Sequence, residues 1–261
     1  MDLGLKGQTT VVFGAANGIG RAIADAFAAE GSKLCAFDRD DSVTEIPNVC
    51  SAFSGDATDY EQVQAACRQF QDDCGAIHHI IHAIGIGSGK FGFPFWNLEP
   101  SDWPRIIDVN LGTAVNVAHA VAPYLTEQKQ GTLLFLTSVA GQIGSQTDPP
   151  YSAAKAGLIN FMQCAAKDFA KFGVRANCLS PGMVKTQLNQ SVWAAGQAKL
   201  PESERQSYED WAGEKIKIIA PLSAWQTPPE FAAMATFLAS NHAKNITGQT
   251  VNIDGGQVMH S

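Results

Sequence analysis

The stretch Thr9-Thr-Val-Val-Phe-Gly-Ala-Ala-Asn-Gly-Ile-Gly20 joins an apolar, β-branched run to a glycine-rich turn and then to a helical pattern. The glycines Gly14, Gly18 and Gly20 let the backbone approach a phosphate closely, and a helix that starts here offers free N–H groups and the positive end of its dipole. A strand, such a turn and a helix form the context that a dinucleotide-binding fingerprint requires. The stretch therefore predicts the first strand and helix of a nucleotide-binding α/β fold.

An acidic residue after the second apolar run bears on the choice of nucleotide. Asp38 lies eighteen residues after Gly20, where a carboxylate accepts hydrogen bonds from the adenosine ribose hydroxyls and would repel a 2′-phosphate. We therefore predict NAD as the cofactor. Arg39 follows directly and offers a partner for a phosphate, which keeps NADP as the alternative, and Asp38 can also be interpreted as a solvated loop acid.

Short apolar or β-branched runs alternate with longer segments of helical period. The predicted strands are Thr9–Phe13, Lys33–Phe37, Val49–Phe53, His79–Ile84, Thr132–Thr137, Arg175–Leu179 and Thr250–Ile253. Seven strands with intervening helices indicate α/β architecture, a Rossmann-type doubly wound parallel sheet covered on both faces. Residues 1–261 are expected to form a single domain, because a chain of this length with 45% hydrophobic residues can bury one core. The polar segment 187–219 interrupts the rhythm and is predicted to be a substrate lid.

The composition argues against several classes of function. The formal net charge is −7, and lysines and arginines occur singly, so no nucleic-acid partner is expected. No segment approaches the ~20 apolar residues of a membrane span, and the first residues lack a signal sequence, which predicts a cytoplasmic protein with no membrane contact. The six cysteines form no C-x-x-C pair, which predicts buried reduced thiols rather than disulfides or metal ligands. The histidines lack metal-ligand spacing, so no metal site is predicted.

The second chemical signal is Tyr151-Ser-Ala-Ala-Lys155, which begins thirteen residues after Ser138. A tyrosine and a lysine four residues apart share one helix face, so the ammonium can favour the ionised phenol. Bringing a phenol from a pKa of ~10 to about neutrality takes ~4 kcal/mol, which one cation at ~4 Å supplies at an effective dielectric of ~20. We predict that Tyr151 exchanges a proton with the substrate oxygen. Ser138 hydrogen-bonds that oxygen, and Lys155 lowers the phenol pKa and binds the nicotinamide ribose.

In the order and spacing of its motifs the chain resembles the classical short-chain dehydrogenase/reductase family, from Gly7 to Gly256. The shared marks are Gly14-x-x-x-Gly18-x-Gly20, Asp38, Asp56, Asn110, Ser138, Tyr151-x-x-x-Lys155, Pro181-Gly182-x-Val184-x-Thr186 and the segment 248–256. The resemblance implies an oxidoreductase that transfers a hydride between a nicotinamide cofactor and a small hydroxy substrate. It also implies Asn110 as a fourth catalytic residue, holding a water that connects Lys155 to solvent, and a homotetramer formed through the helices around Asn110 and Tyr151.

The glycine turn and the resemblance together give a set of cofactor-binding residues. The predicted set is Gly14, Asn17, Gly18, Ile19, Gly20, Asp38, Asp56, Ala57, Asn110, Tyr151, Lys155, Pro181, Gly182, Val184 and Thr186. The chain departs from the family in reading Phe13-Gly14 in place of Thr-Gly, and His82-Ala83-Ile84-Gly85 in place of Asn-Asn-Ala-Gly. We therefore expect backbone groups to contact the cofactor after the fourth strand, and His82 to be packed rather than catalytic.

The residues around the motifs indicate the substrate less sharply. The segments 142–148 and 187–190 are rich in amides and hydroxyls, which suits a polyhydroxylated ligand, because desolvated hydroxyls need partners. The candidate substrate contacts are Ser138, Gln142, Gln146, Tyr151 and Gln187. The aromatic cluster at 91–96 instead favours a ring or an apolar ketone, or belongs to the core or to an interface. The ending Asp254-Gly-Gly-Gln-Val-Met-His is similar to endings of sugar and sugar-alcohol dehydrogenases of this family, which favours a sugar or polyol.

Two other functions stay open. A 3-oxoacyl-thioester reductase, or another ketone reductase, would be marked by NADP preference and by a basic patch for an acidic carrier. A catalytically silent NAD-sensing scaffold on the same fold would be marked by loss of Tyr151 or Lys155, and both are present.

Overall fold

The computed structural model describes residues 1–144 and 148–259. Its strands are β1 (Thr9–Phe13), β2 (Lys33–Asp38), β3 (Val49–Ser54), β4 (Ile77–His82), β5 (Gly131–Leu136), β6 (Val174–Pro181) and β7 (Thr250–Ile253). Within these residues they form one sheet of seven parallel strands in the order β3-β2-β1-β4-β5-β6-β7. The predicted doubly wound, single-domain α/β fold is confirmed.

Helices connect the strands across both faces of the sheet. They are α1 (Gly18–Ala29), α2 (Tyr60–Cys74), α3 (Trp103–Ile107), α4 (Thr113–Gln128), α5 (Pro149–Ala170), α6 (Gln187–Gln197), α7 (Tyr208–Ile219) and α8 (Pro228–Ala239), with a π-helical turn at Asp108–Gly112. Short 3₁₀ turns lie at Asp41–Glu45, Phe95–Asn97, Pro100–Asp102, Val139–Gly141, Glu202–Glu204 and Asn241–Ala243. In the described part of the chain, no helix combines the length and the apolar character needed to cross a bilayer.

Two apolar cores lie on opposite faces of the sheet. On one face α1 and α8 pack together, with Ile23, Phe27 and Phe231 fully buried. On the other face α2, α4 and α5 cover the sheet, and Val117 and Leu158 are fully buried. Because both faces are covered, β1, β4, β5 and β6 are buried along almost their whole length instead of alternating between buried and exposed residues.

The strand order has a switch point between β1 and β4. The chain runs outward from β1 to β2 and β3, then crosses back to β4 and continues to β7. In open α/β sheets ligands bind in the crevice at such a point, outside the carboxyl ends of the strands. The turn after Phe13 and the loop after His82 form the walls of this crevice, because Phe13 and His82 are paired at the ends of β1 and β4.

The predicted strands agree with the structure apart from shifts at their ends. The bounds of β1 and β7 are as predicted, whereas β4 begins and ends two residues earlier than the predicted His79–Ile84. Residues 83 and 84 leave the sheet because the paired strand β1 ends at Phe13. Strand β6 continues to Pro181 because it pairs with β7 as far as Ile253.

The prediction that the cysteines are all reduced is wrong for one pair. Cys50 and Cys74 form a disulfide, with their Cα atoms 6.4 Å apart. Cys50 lies in β3 and Cys74 ends α2, so the folded chain brings together two residues that are 24 positions apart. Cys35, Cys67 and Cys178 are free and buried, as predicted, whereas Cys164 is free but exposed, so the prediction of burial is wrong for it.

Candidate active site

The glycine-rich turn packs tightly against the loop that follows β4. Gly14 donates its N–H to the Phe37 carbonyl oxygen at 2.8 Å and has a φ of +88°, a conformation that favours glycine. A Cβ on Gly14 would lie 2.9 Å from the Ala83 carbonyl carbon, and one on Gly20 would overlap the Gly14 carbonyl oxygen. Glycine is therefore required at both positions by close backbone packing.

The amino end of α1 is open to an anion. Asn17 occupies the N-cap position, yet its side chain makes no capping hydrogen bond, so the first N–H groups of the helix have no side-chain acceptor there. Gly18 has a φ of +59°, and a Cβ there would meet no atom within 4 Å. These features fit the pyrophosphate of a dinucleotide, which a helix amino end binds through its N–H groups and dipole.

Asp38 lies at the carboxyl end of β2 and ties that strand to the glycine turn. Its Oδ2 accepts from the Ala16 N–H at 2.9 Å, and its Oδ1 accepts from the Asp40 N–H at 3.1 Å. After the adjacent strand β3, Asp56 accepts from the N–H and the hydroxyl of Thr58, and these bonds hold the pKa of the Asp56 carboxyl below its ordinary value. Ala57 is buried beside it. These residues form the edge where an adenosine is expected.

Ser138, Tyr151 and Lys155 come together where β5 meets α5. Ser138 precedes the turn Val139–Gly141, and its Oγ accepts from the Ala140 N–H at 3.1 Å. The Thr137 hydroxyl donates to the Lys155 carbonyl oxygen at 3.0 Å, and a Cβ on Gly141 would lie 2.6 Å from the Lys155 carbonyl carbon. The serine turn and the helix that carries the tyrosine and lysine are thus packed backbone to backbone.

The pKa values of this group differ from the prediction. Burial raises the pKa of Tyr151 to about 12, a hydrogen bond with Ser138 lowers it, and the charge of Asp148 raises it further. Burial lowers the pKa of Lys155 to about 8. The Lys155 Nζ lies 5.6 Å from the centroid of the Tyr151 ring and donates to the carbonyl oxygens of Leu136 at 2.9 Å and Ile84 at 3.4 Å. The protein's own groups therefore do not bring the pKa of the Tyr151 phenol down towards neutral pH.

Asn110 lies in the π-helical turn and is fully buried. Its Oδ1 accepts from the Ile86 N–H at 3.2 Å, and its Nδ2 donates to the carbonyl oxygens of Ile86 and Ile106 at 2.8 and 2.9 Å. A Cβ on Gly85 would lie 3.1 Å from the Asn110 Oδ1 and 3.2 Å from the Lys155 Nζ. Asn110 therefore fixes the loop after β4, and it flanks Gly85 together with Lys155.

A cavity of about 710 Å³, here called the main cavity, runs from the amino end of α1 past Tyr151 to α6 and α7. The predicted site residues that line it are Asn17, Gly18, Ile19, Gly20, Ser138, Tyr151, Lys155, Pro181, Gly182, Val184 and Thr186. Gly14, Asp38, Asp56, Ala57, Asn110 and Gln142 lie outside its walls. The volume suits a cofactor head group together with a small molecule.

The three glutamines predicted to contact the substrate are not seen to do so in the described structure. Gln142 donates to Asn252 Oδ1 at 2.7 Å and to Ser180 Oγ at 3.0 Å, and its Oε1 accepts from Asn252 at 2.9 Å. Its amide group thus links the turn after β5 to β6 and β7. The prediction that it contacts substrate is not supported. Gln146 lies outside the described residues. Gln187 begins α6, but its side chain is not part of the described structure.

Asp148, which belongs to the polar segment 142–148, lines the main cavity, and so do Lys185, Lys215 and Gln257, which were not among the predicted site residues. Asp148 precedes α5; its Oδ2 accepts from the Ser88 N–H at 2.7 Å, and burial raises the pKa of its carboxyl. Lys215 follows Trp211 by four residues on α7, a spacing that puts both on one helix face. That spacing, inside the segment predicted to be a lid, was the available signal.

The histidine after β4 is packed against α4. His82 is fully buried, its Nε2 lies 2.8 Å from Thr113 Oγ1, and burial lowers the pKa of the imidazole to about 3. It does not line the main cavity. Within residues 1–144 and 148–259, no group of three or more His, Cys, Asp or Glu side chains is arranged to hold a metal ion.

Known proteins resemble the chain along its whole length. Residues 14–258 match the sequence profile of a family described as enoyl-(acyl carrier protein) reductase. The chain is 31% identical over 263 residues to the 3-oxoacyl-[acyl-carrier-protein] reductase of Thermotoga maritima, with 98% of this chain and 99% of that protein covered. It is 31% identical over 261 residues to the acetoacetyl-CoA reductase of a Synechocystis species, with 98% of each protein covered.

A solved structure adds a relative of another kind. The ligand-free aldohexose dehydrogenase of Thermoplasma acidophilum superposes with a TM-score of 0.87 at 27% identity, covering 99% of this chain and 97% of that one. The profile and the relatives span the glycine turn, Ser138 and the Tyr151–Lys155 pair. The chain therefore belongs to the classical short-chain dehydrogenase/reductase family, whose members are oxidoreductases that bind a nicotinamide cofactor and act on a small molecule.

Proposed function

We propose that the protein is an NAD-dependent dehydrogenase that interconverts a secondary alcohol and a ketone, with a sugar or polyol as substrate. The observation that carries the proposal is that Ser138, Tyr151 and Lys155 line one cavity, which also reaches the uncapped amino end of α1. That arrangement puts a proton donor beside the place where a dinucleotide head group is expected.

The proposed chemistry divides among four side chains. A nicotinamide cofactor held between the amino end of α1 and Lys155 would supply the acceptor for the hydride that leaves the alcohol carbon. Tyr151, as phenolate, takes the hydroxyl proton, so the alcohol loses a hydride and a proton and becomes a ketone; in the reverse direction the phenol donates. Ser138 accepts from the Ala140 N–H and hydrogen-bonds Tyr151 in the ligand-free protein, and with substrate bound its hydroxyl donates to the substrate oxygen. Lys155 binds the ribose, and Asn110 holds a water through which the proton passes.

The acidic surroundings of Asp38 support NAD. Asp40 and Asp41 lie two and three residues after it, and Asp56 comes after the neighbouring strand, where the Gly55 N–H bonds the Asp38 carbonyl oxygen. The charge of Arg39 reaches both Asp40 and Asp56, so this cation is already shared among carboxylates. A 2′-phosphate, with about −1.5 to −2 charges at neutral pH, would face these acids.

The lid proposal rests on the helices α6 and α7, which occupy the segment 187–219. Asn189, Val192, Lys215 and Ile219 of this segment line the main cavity opposite the catalytic turn. A segment in this position excludes water and selects the substrate. Resemblance to an aldohexose dehydrogenase supports a sugar or polyol.

A second function, reduction of a 3-oxoacyl thioester or another ketone, is favoured by a different observation. The main cavity has an apolar wall that includes Val139, Ile143, Met183 and Val192. Such a wall suits an acyl chain, and two relatives at 31% identity are named as reductases of this type. The retention of Tyr151 and Lys155 in the cavity argues against a silent NAD-sensing scaffold.

We also propose a homotetramer assembled through α4 and α5. A second groove, of about 480 Å³, lies on this face and includes Ala122, Phe161, Phe169 and Phe172. An apolar face of this kind suits contact with another copy of the chain. Light scattering in solution is expected to give four chain masses, and one chain mass would contradict the assembly.

The proposed reaction is tested by following nicotinamide absorbance with sugars, polyols, simple secondary alcohols and 3-oxoacyl thioesters, each with NAD and with NADP. We expect turnover of a polyol or sugar with NAD, reduced by at least ~100-fold in Tyr151→Phe while NAD still binds. Turnover confined to acyl thioesters would support the second function. Measurable NAD binding without any turnover would support the sensor.

A further inference from the structure

The charged side chains that line the main cavity are unevenly balanced. Among the described residues, three are cations, Lys155, Lys185 and Lys215, and one is an acid, Asp148. Lys155 is held by backbone carbonyl oxygens, and Lys185 forms an ion pair with Glu209 at 2.7 Å. In the described part of the chain, Lys215 has no carboxylate within ion-pairing distance and makes no hydrogen bond. Among the described residues, it is therefore the cavity cation without an anion or a hydrogen-bond acceptor.

Lys215 is held in place by an aromatic side chain. Its Nζ lies 4.3 Å from the centroid of the Trp211 ring, one helical turn earlier on α7. The side chain is partly buried, and that burial lowers the pKa of its ammonium. A cation–π contact offsets only part of the hydration free energy that an ammonium loses when it is partly buried. An anion in the cavity would supply the missing counter-charge.

Hydrogen-bonding groups suited to hydroxyls lie in the walls of the same cavity. Asn189 accepts from the Tyr208 hydroxyl at 2.8 Å through Oδ1, which leaves its amide N–H groups for a ligand. Tyr208 packs between Trp193 and Trp211, at ring separations of 5.7 and 6.0 Å, so α6 and α7 share one aromatic scaffold. The buried Oε1 of Gln257 has no partner among the described residues.

We propose that Lys215 binds the carboxylate of the substrate, so that the enzyme acts on a polyhydroxylated carboxylic acid, a sugar acid or a related hydroxy acid, rather than on a neutral sugar. This inference rests on the proposed alcohol dehydrogenase function and specifies its substrate class. The carboxylate pairs with Lys215 on α7, the hydroxyls bond Asn189 and Gln257, and the reacting hydroxyl lies at Ser138 and Tyr151.

The cofactor diphosphate offers the same oxyanion chemistry, and it is the alternative source of the counter-charge. The uncapped amino end of α1 already presents N–H groups for that diphosphate. Lys215 lies on the lid instead, together with Asn189, which makes the substrate the preferred source. The two sources differ in what a substitution of Lys215 should weaken.

The test compares matched acid and neutral substrates that share a carbon skeleton: gluconate with glucitol, galactonate with galactitol, and 3-hydroxybutyrate with 2-butanol. In the wild type, kcat/KM for the preferred acid is expected to exceed that of its neutral partner by at least about tenfold, the usual scale of one charge-assisted hydrogen bond. In Lys215→Met this preference is expected to disappear, because KM for the acid should rise at least about tenfold more than KM for the neutral compound. Lys215→Arg keeps the charge and should keep most of the preference.

Lys217→Met provides the matched control, because Lys217 is exposed on the same helix and does not line the cavity. It should change neither substrate preference nor NAD affinity. A loss in Lys215→Met that is equal for acids and neutral compounds would mean a structural role and would overturn the inference. So would a loss of NAD affinity, measured by titration without substrate, because it would assign Lys215 to the diphosphate.

The failure of this inference differs from the failure of the proposed function. If the wild type oxidises neutral polyols with the same kcat/KM as the matching acids, the dehydrogenase function stands and the proposed carboxylate site is wrong. If no polyhydroxy compound or hydroxy acid is oxidised, and only acyl thioesters are reduced, the proposed function is wrong, and the inference fails with it.

Discussion

The Lys155 ammonium lies over the ring of Tyr151, 5.6 Å from its centroid, while Nζ donates to the Leu136 carbonyl oxygen at 2.9 Å. The cation therefore sits at the face of the phenol, and Ser138 is the hydrogen-bond partner that favours its ionisation. Burial favours the uncharged form of both side chains: it raises the pKa of Tyr151 to about 12 and lowers the pKa of Lys155 to about 8. A second positive charge, in addition to that of Lys155, is needed before the phenol can act as a base near neutral pH.

We expect that charge to come from the oxidised, positively charged nicotinamide ring. In the protein alone, Tyr151 should ionise only at strongly alkaline pH, near its pKa of about 12, and NAD should move its ionisation to lower pH. Because oxidation needs the phenolate and reduction needs the phenol, the oxidation rate should rise with pH and the reduction rate should fall. The measurement is tyrosinate absorbance across pH, with Tyr151→Phe subtracted. An unchanged pKa on NAD binding would contradict this mechanism.

Lys155 should make folding stability depend on pH. Its folded pKa of about 8 lies below the ordinary value of 10.5, so between these values the unfolded chain binds more protons, and stability rises with pH through that window. Lys155→Met removes a cost of about 3 kcal/mol at pH 7 but loses the hydrogen bonds to Leu136 and Ile84. The variant should therefore be more stable by about 1–2 kcal/mol at pH 7, although inactive.

Urea unfolding of the wild type and Lys155→Met at pH 7 and at pH 10 measures this effect. The stability advantage of the variant should shrink or reverse at pH 10, because the wild-type lysine is then neutral in the folded state. Lys217→Met, an exposed lysine, serves as the control and should show no such dependence. A difference between wild type and Lys155→Met that is the same at both pH values would mean that Lys155 is not destabilised by burial.

The sequence was sufficient for the features that local pattern and strand topology determine. Once the glycine turn identifies β1 and the apolar runs identify a parallel sheet, the carboxyl ends of the strands must meet at one edge. Residues that follow strands, such as Asp38, Ser138 and Pro181, are therefore expected near one another. The observed strand ends agree with this, and the Tyr151–Lys155 spacing places both residues at the same edge on α5.

Features that depend on contacts between residues far apart in the sequence could not be predicted from it. Gln142 was predicted as a substrate contact, but it pairs with Asn252, 110 residues away. Cys50 and Cys74 come together only because α2 ends beside the start of β3. Lys215 was not among the predicted site residues, and only the packing of α7 against the cavity gives it a role.

Asp38→Asn should weaken the discrimination against NADP. The amide oxygen can still accept one backbone N–H, so the turn should keep its shape, but the charge that repels a 2′-phosphate is lost. We expect the ratio of kcat/KM for NAD to that for NADP to fall by at least about tenfold, which corresponds to about 1.4 kcal/mol. Asp25→Asn removes an equal charge from the exposed side of α1 and should leave the ratio unchanged. An unchanged ratio in Asp38→Asn would assign cofactor choice to other residues.

Gly20→Ala tests the close packing of the cofactor turn. The added methyl group would overlap the Gly14 carbonyl oxygen, so the turn must shift away from the amino end of α1. We expect a loss of about 1–3 kcal/mol in stability, the usual cost of overpacking, and at least about tenfold weaker NAD binding. Gly196→Ala is the control, because a Cβ there meets nothing within 4 Å and alanine favours the helix. Calorimetric titration with NAD and thermal unfolding measure both effects, and wild-type NAD affinity in Gly20→Ala would mean that the diphosphate does not bind at this turn.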